Sequence, residues 1–309
     1  MSPGLGSEWE RLFGVAPVVV DGGLSTQLEK HGQDVSGLLW TGRVLLDDPQ
    51  AVTRAHADFV AAGADVVISA SYQVSRRGFV AAGMSGTDAD AALLASIDAA
   101  RAACATGDAR VAASVGPYGA ILHDGSEYRG GYGLTHQQLA DFHRERLEVL
   151  ASGAPDLLAV ETIPDVVEAQ ALVDVLGDFP DVPAWMTFSA ADGGRVCAGQ
   201  SIEEAVLVAA SAPSIVAVGV NCTDPRHVTE LVTRIRATVA LPVIVYPNAG
   251  GQWDAGTGEW TGTSDGDSAF PSAVVEQWRA AGATAVGGCC GTDDRMITQL
   301  ARQWARTGP

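Results

Sequence analysis

Two adjacent cysteines, Cys289 and Cys290, stand between glycines in the segment AVGGCCGTDDR, and a third, Cys222, closes the apolar run IVAVGVNC. Such a pair can form a disulfide, pack as two small apolar groups, or bind a metal through thiolates. The third cysteine favours the metal. Zinc is the natural ion, one per chain, because soft thiolates select it and three protein ligands leave a tetrahedral site one open position. An open position implies chemistry, and the fourth Cys or His at short spacing that marks a purely structural zinc site is absent from the sequence. Gly287, Gly288 and Gly291 are expected to supply the bends that turn adjacent residues toward one centre. Cys104, in an Ala-rich helical stretch, and Cys197 are expected to be structural.

Carboxylates and amides offer the remaining chemistry. Asp21 follows the run VVV and precedes Gly22 and Gly23, a pattern that suits either a turn or a binding group. Glu161 follows LLAV, where an unpaired buried carboxylate would be costly, so a cationic partner is expected, either an arginine or a substrate. Gln73 and Asn248 occupy similar places after other apolar runs and are candidate polar groups of a pocket.

Composition removes several function classes. With a formal charge of -18 and no basic patch, the chain is a poor partner for nucleic acid or an anionic membrane. No stretch approaches the ~20 apolar residues of a membrane helix, and no leader-like segment opens the chain. A cytoplasmic protein with reduced thiols is the expectation, since five cysteines are an odd number and a low density for a disulfide framework.

The elements that must position these groups follow one rhythm. A short β-branched run ends in Gly, Ser, Asn or Asp, and an Ala/Leu-rich stretch of helical composition follows. The eight runs span 18–23, 65–73, 110–119, 157–163, 183–190, 215–223, 242–250 and 284–292. Their near-continuous apolar character suits strands buried on both faces of a parallel sheet. Stretches such as PQAVTRAHADFVAAGA and PSAVVEQWRAAGA end in Gly-Ala, a helix stop ahead of the next strand. Eight strand–helix units over residues 1–309 predict a single (β/α)8 TIM-type barrel domain, with a doubly wound open sheet as the competing fold. In a barrel, function gathers at the C-terminal strand ends, where Asp21, Gln73, Glu161, Cys222, Asn248, Cys289 and Cys290 would all meet. Segments 120–133 and 251–270 are long enough to cover such a site.

Taken together, DGGLSTQLE, ISASYQ, ETIPDVVEA, GVNCT, VYPNAGGQWD and GGCCGT resemble the homocysteine S-methyltransferases over essentially the whole chain. The resemblance implies that Cys222, Cys289 and Cys290 ligate zinc, that homocysteine sulfur takes the fourth position, and that Asp21 and Glu161 receive its ammonium group. Gly22 and Gly23 would then let backbone approach the substrate. Betaine-using relatives would carry an aromatic residue directly after the strand-4 glutamate and a longer chain, whereas Thr162 follows Glu161 here. The compact chain looks like the type that uses a sulfonium donor, S-methylmethionine and also S-adenosylmethionine, and a monomer is compatible with it. Tyr246, Trp253 and Trp260 either face such a cation or pack the loop. Three alternatives stand beside this reading: another donor or a thiol or selenol acceptor, a redox or metal-holding protein with a vicinal Cys289–Cys290 disulfide, and a phosphate-binding barrel enzyme.

Overall fold

The computed structural model describes residues 9, 12, 13 and 17–305, apart from 38, 251, 255–258 and 262–269, with backbone only at 252–254 and 259–261. Eight parallel strands form one sheet: β1 (Val18–Val19), β2 (Val66–Ile68), β3 (Arg110–Val115), β4 (Leu157–Ile163), β5 (Ala184–Phe188), β6 (Ile215–Asn221), β7 (Val243–Tyr246) and β8 (Ala285–Val286). Neighbours in the sheet are neighbours in sequence from β2 to β8, and β1 pairs with β8 through Val18↔Ala285 and Val19↔Val286. A parallel bridge between Val20 and Val66 joins β1 to β2 and closes the ring, so the chain is a (β/α)8 barrel and not an open sheet.

Each apolar run is buried because it faces the barrel interior on one side and the helix layer on the other. β4 and β6 are buried along their whole length. At Gly219 of β6, an added Cβ would overlap the Ile244 carbonyl of β7, so only glycine fits between these strands. Between strands, the helices start where their capping chemistry predicts. Asp48 accepts from Ala51 N at the head of Pro49–Ala61, Thr135 and Gln138 form a capping box before His136–Ser152, and Asp224 with Pro225 opens Pro225–Thr238. Gly63 and Gly282 stop their helices at φ 100° and 111°, as the Gly-Ala pattern implies. After His136–Ser152, however, Gly153 stays right-handed and Ala154 takes the positive φ of 49°.

Several strands are shorter than the runs that announced them. β2 ends at Ile68 and β7 at Tyr246, because the chain turns away as soon as the ladder bonds to the neighbouring strand are complete. Segment 251–270 contains an antiparallel hairpin that pairs Gln252–Asp254 with Glu259–Thr261. The side chains of Trp253 and Trp260 lie outside the described residues. Among the described residues no helix is long and apolar enough to cross a membrane.

Candidate active site

β6 and β8 leave the barrel on the same side, and their ends bring three sulfurs together. The Sγ atoms of Cys222, Cys289 and Cys290 all lie within 4.8 Å of one another, with Cys222 and Cys290 3.8 Å apart. A tetrahedral zinc with Zn–S bonds of ~2.3 Å sets its sulfurs ~3.8 Å apart, so this donor set fits the ion once reduced. Cys222 and Cys289 are joined as a disulfide, their Cα atoms 5.5 Å apart, while Cys104, Cys197 and Cys290 are free. The sequence expects reduced thiols; here Cys222 and Cys289 pair, the strand ends bringing them within disulfide reach, and the vicinal Cys289–Cys290 bond weighed as an alternative is not formed.

The cysteine backbone is held from several sides. Cys222 adopts φ 45°, an uncommon conformation for a non-glycine residue, and donates its N–H to Tyr246 O at 3.2 Å. Cys289 N donates to Pro247 O at 2.8 Å, and Cys290 O accepts from Ala249 N at 2.9 Å. The glycines around them act differently from the sequence expectation. Gly291 does use a positive φ of 79°, but Gly287 and Gly288 are required by contact: an added Cβ would sit 2.9 Å from the Val20 side chain, or collide with that of Thr292. Gly23 lines the cavity, and its lack of a side chain also makes room for Cys289 O, 2.6 Å from where a Cβ would fall, while its N–H donates to Thr292. At Gly22 an added Cβ would meet Phe59 at 2.7 Å.

One cavity connects the sulfurs with Asp21, Gly22, Gly23 and Glu161. Asp21 Oδ2 accepts from Ile68 N at 2.8 Å, while Oδ1 is buried without a partner. Burial holds the Asp21 carboxyl well above the ordinary carboxylate range; the Ile68 bond opposes this and the nearby Glu161 charge adds to it. Burial pushes Glu161 up to about 7, against hydrogen bonds from the Ser114 and Tyr246 hydroxyls. The arginine partner considered for Glu161 is not found: no Arg, Lys or His lines the cavity among the described residues. Cys290 is pushed up to about 12 by burial, with a Tyr128 hydrogen bond working the other way.

Gln73 and Asn248 are buried, but neither lines this cavity. Other residues, which the sequence reading did not single out, stand there instead. Trp40 and Tyr72 meet edge to face at 6.1 Å, and Tyr128 and Glu127 come from a short 3-10 turn, Ser126–Tyr128, in the loop after β3. Asn221 next to Cys222 ties three strands together: its Oδ1 accepts from Thr162 N at 2.7 Å and Thr187 Oγ1 at 2.8 Å, and its Nδ2 donates to Thr162 Oγ1 at 2.8 Å. The only signal for Asn221 in the sequence was its place beside Cys222. Tyr246, which lines the cavity, is buried with its hydroxyl accepting from Trp185 Nε1 at 3.0 Å.

Comparison with known proteins agrees with this geometry. The homocysteine S-methyltransferase family model matches residues 18–304. Homocysteine S-methyltransferase 2 of Arabidopsis thaliana is 42% identical over 305 residues, covering 91% of each chain. A selenocysteine Se-methyltransferase of Brassica oleracea var. italica is 41% identical over 91% of this chain and 87% of its own. Among solved structures, the homocysteine methyltransferase MmuM of Escherichia coli superposes with a TM-score of 0.84 in both its metallated and its oxidized forms, at 34% identity. The metallated form covers 94% of this chain and 98% of its own, the oxidized form 96% and 99%. The chain therefore belongs to the homocysteine S-methyltransferase family and is a methyltransferase with a TIM-type barrel.

Proposed function

We propose that this chain transfers a methyl group from a sulfonium donor, S-methylmethionine and also S-adenosylmethionine, to the sulfur of homocysteine, giving methionine. Cys222, Cys289 and Cys290 would hold one zinc ion per chain after reduction of the Cys222–Cys289 disulfide. Bound zinc would supply the acceptor as a thiolate at neutral pH. The observation that carries the reading is one cavity in which three sulfurs share a wall with two buried carboxylates that have no cationic partner.

The chain's own residues do the rest. Asp21 Oδ1 and Glu161 receive the substrate ammonium, which restores to each the charge that burial opposes. Ser114 and Tyr246 orient the Glu161 carboxyl through their hydroxyls. Thr162, in the position where betaine users would carry an aromatic ring, is committed through both N–H and Oγ1 to Asn221, which keeps Cys222 at the strand end. Every residue the reading uses lies in a single chain, within one barrel domain proposed to span 1–309.

The test is methionine formation from homocysteine with S-methylmethionine, S-adenosylmethionine and betaine assayed in parallel on reduced, zinc-loaded protein. S-methylmethionine should give two methionines per turnover, one from each substrate, and betaine none above background. Robust turnover with betaine would overturn the donor choice, and no turnover with any donor would overturn the reaction.

A further inference from the structure

Glu127 lines the same cavity as Asp21 and Glu161. Its charge acts on Tyr72, Tyr128 and Cys290, and Glu161 acts on Tyr72 and Cys290 as well as on Asp21. Its Oε2 is buried and has no hydrogen-bond partner. The cation nearest in its electrostatic surroundings, Arg129, is committed elsewhere: its Nη1 donates to the Asp124 carbonyl at 3.0 Å, and Nη2 lies 3.6 Å from the Asp124 carboxylate.

The turn carrying Glu127 is firmly built. Gly119 lies so close that an added Cβ would fall 2.7 Å from Ser126 C and collide with the Glu127 backbone nitrogen. Ser126 N donates to Asp124 Oδ1 at 2.9 Å, and Tyr118 N donates to the buried Glu168 at 2.6 Å. A desolvated carboxylate oxygen without a protein partner is costly, and a cation that enters the cavity offsets that cost. On the reading above, Asp21 and Glu161 meet the acceptor's ammonium; the donor brings a sulfonium beside an ammonium of its own, and only the sulfonium charge distinguishes it from its thioether product.

We infer that Glu127 recognises the positive sulfonium pole of the methyl donor and so selects cationic donors over their neutral thioether products. The inference rests on the methyl-transfer reading above. In that transfer a lone pair of the acceptor thiolate forms the new S–C bond to the methyl carbon, and the old C–S bond breaks with its electrons staying on the donor sulfur. No proton or redox equivalent is needed. The donor sulfur is positive before transfer and neutral after it, so Glu127 attracts the substrate and releases the product. Tyr72, Tyr128 and Trp40 also line the cavity and offer π faces to a cation.

Calorimetry on reduced, zinc-loaded protein without homocysteine tests this apart from turnover, with S-methylmethionine and methionine as probes. The native chain should prefer S-methylmethionine by about 10- to 100-fold, and Glu127→Gln and Glu127→Ala should bring the two ligands within about threefold of each other. Donor KM should rise at least about tenfold more than homocysteine KM in both variants. An undiminished preference in both would overturn the role of Glu127, as would loss of bound zinc in both, which would make it a support of the metal site. A native chain that turns over no sulfonium donor would overturn the underlying reading instead, so the two failures are distinguishable.

Discussion

The floor of the cavity and its rim are made by different means. The floor uses strand ends: Cys222, Glu161, Asn221 and Tyr246 sit on or next to β4, β6 and β7, and their hydrogen bonds cross from strand to strand. The rim uses loops, chiefly the segment after β3 that carries Glu127 and Tyr128, and it is held by turns, Gly119 and a bond to Glu168. A group on a strand inherits the rigidity of the ladder, whereas a group on a loop is only as fixed as the contacts built for it. On the reading proposed above, the acceptor half of the reaction belongs to the barrel itself and the donor half to its periphery. Changes to the floor should disable every substrate combination, and changes to the rim should discriminate among donors.

The largest break in this contrast comes from the sulfurs. Cys222→Ser or Cys289→Ala removes one of three donors and should weaken zinc retention by more than about 100-fold, with loss of turnover for all donors. Elemental analysis of protein purified under reducing conditions measures it. The native chain should hold about one zinc per chain only after the Cys222–Cys289 bond is reduced, since a disulfide sulfur has no thiolate to offer. Zinc content unchanged in these two variants and in Cys290→Ala would remove the metal from the scheme.

Next in size is Glu161→Gln, which leaves the sulfurs alone. It should keep its zinc and lower kcat/KM for homocysteine by roughly 30- to 1,000-fold, the cost of losing a charged partner in a desolvated pocket, on the order of 2–4 kcal/mol. A thiol without the amino group should be affected far less. The same residue makes a stability prediction with a definite sign. Glu161 is raised to about 7 by burial, so the folded state holds its proton more tightly than the unfolded chain does. Its contribution is present in full below the ordinary glutamate range and is lost as pH rises through about 7. Ligand-free Glu161→Gln should then gain up to about 3 kcal/mol over the native protein at pH 8 and nothing at pH 4. Denaturant unfolding at the two pH values reads the difference.

How much of this was legible in the sequence follows from the kind of signal each residue leaves. The barrel was legible because eight apolar runs at strand length alternate with capped helical stretches, and the three cysteines because reactive side chains at strand ends are conspicuous. That Gln73 and Asn248 lie off the lining of this cavity is not legible, because a run of apolar and small residues does not reveal where the ladder stops, and here β2 stops at Ile68. Glu127, Tyr128 and Trp40 were missed since they lie in irregular segments, where no periodicity tells which side chain turns inward. Gly287 and Gly288 leave no sign in the sequence of the contacts with Val20 and Thr292 that their lack of a Cβ serves, since only the folded chain creates them.

A smaller effect should come from the rim. Gly119→Ala would press a methyl group into the turn at Ser126 and Glu127, an overpacking that typically costs about 1–3 kcal/mol. The shifted turn should lower kcat/KM for S-methylmethionine by about tenfold, with zinc content native and homocysteine KM changed less. Steady-state kinetics with each substrate varied in turn separates the two. An equal loss for both substrates would mean that rim and floor are one unit and that the contrast drawn above is false.

The smallest effect, and the one that tests the floor most finely, is Tyr246→Phe. The Tyr246 hydroxyl donates to Glu161, which lowers the Glu161 titration against the larger upward push of burial. Without it Glu161 should titrate above about 7, so less carboxylate is available to the substrate ammonium at neutral pH. For homocysteine, kcat/KM should drop by a factor of a few at pH 7, at most about tenfold for each unit of displacement, and should recover toward the native value as the pH is raised. Zinc should be retained, because no sulfur loses a partner. The hydroxyl also accepts from Trp185 Nε1 at 3.0 Å and lies 2.7 Å from Thr187 Oγ1, so its removal should cost about 1–3 kcal/mol of stability at every pH. These two consequences separate in a pH–rate profile: the electrostatic one moves along the pH axis, while a loosened floor lowers the curve at all pH values. A uniformly lowered profile would show that Tyr246 supports the strand ends and leaves the Glu161 charge to burial and Ser114 alone.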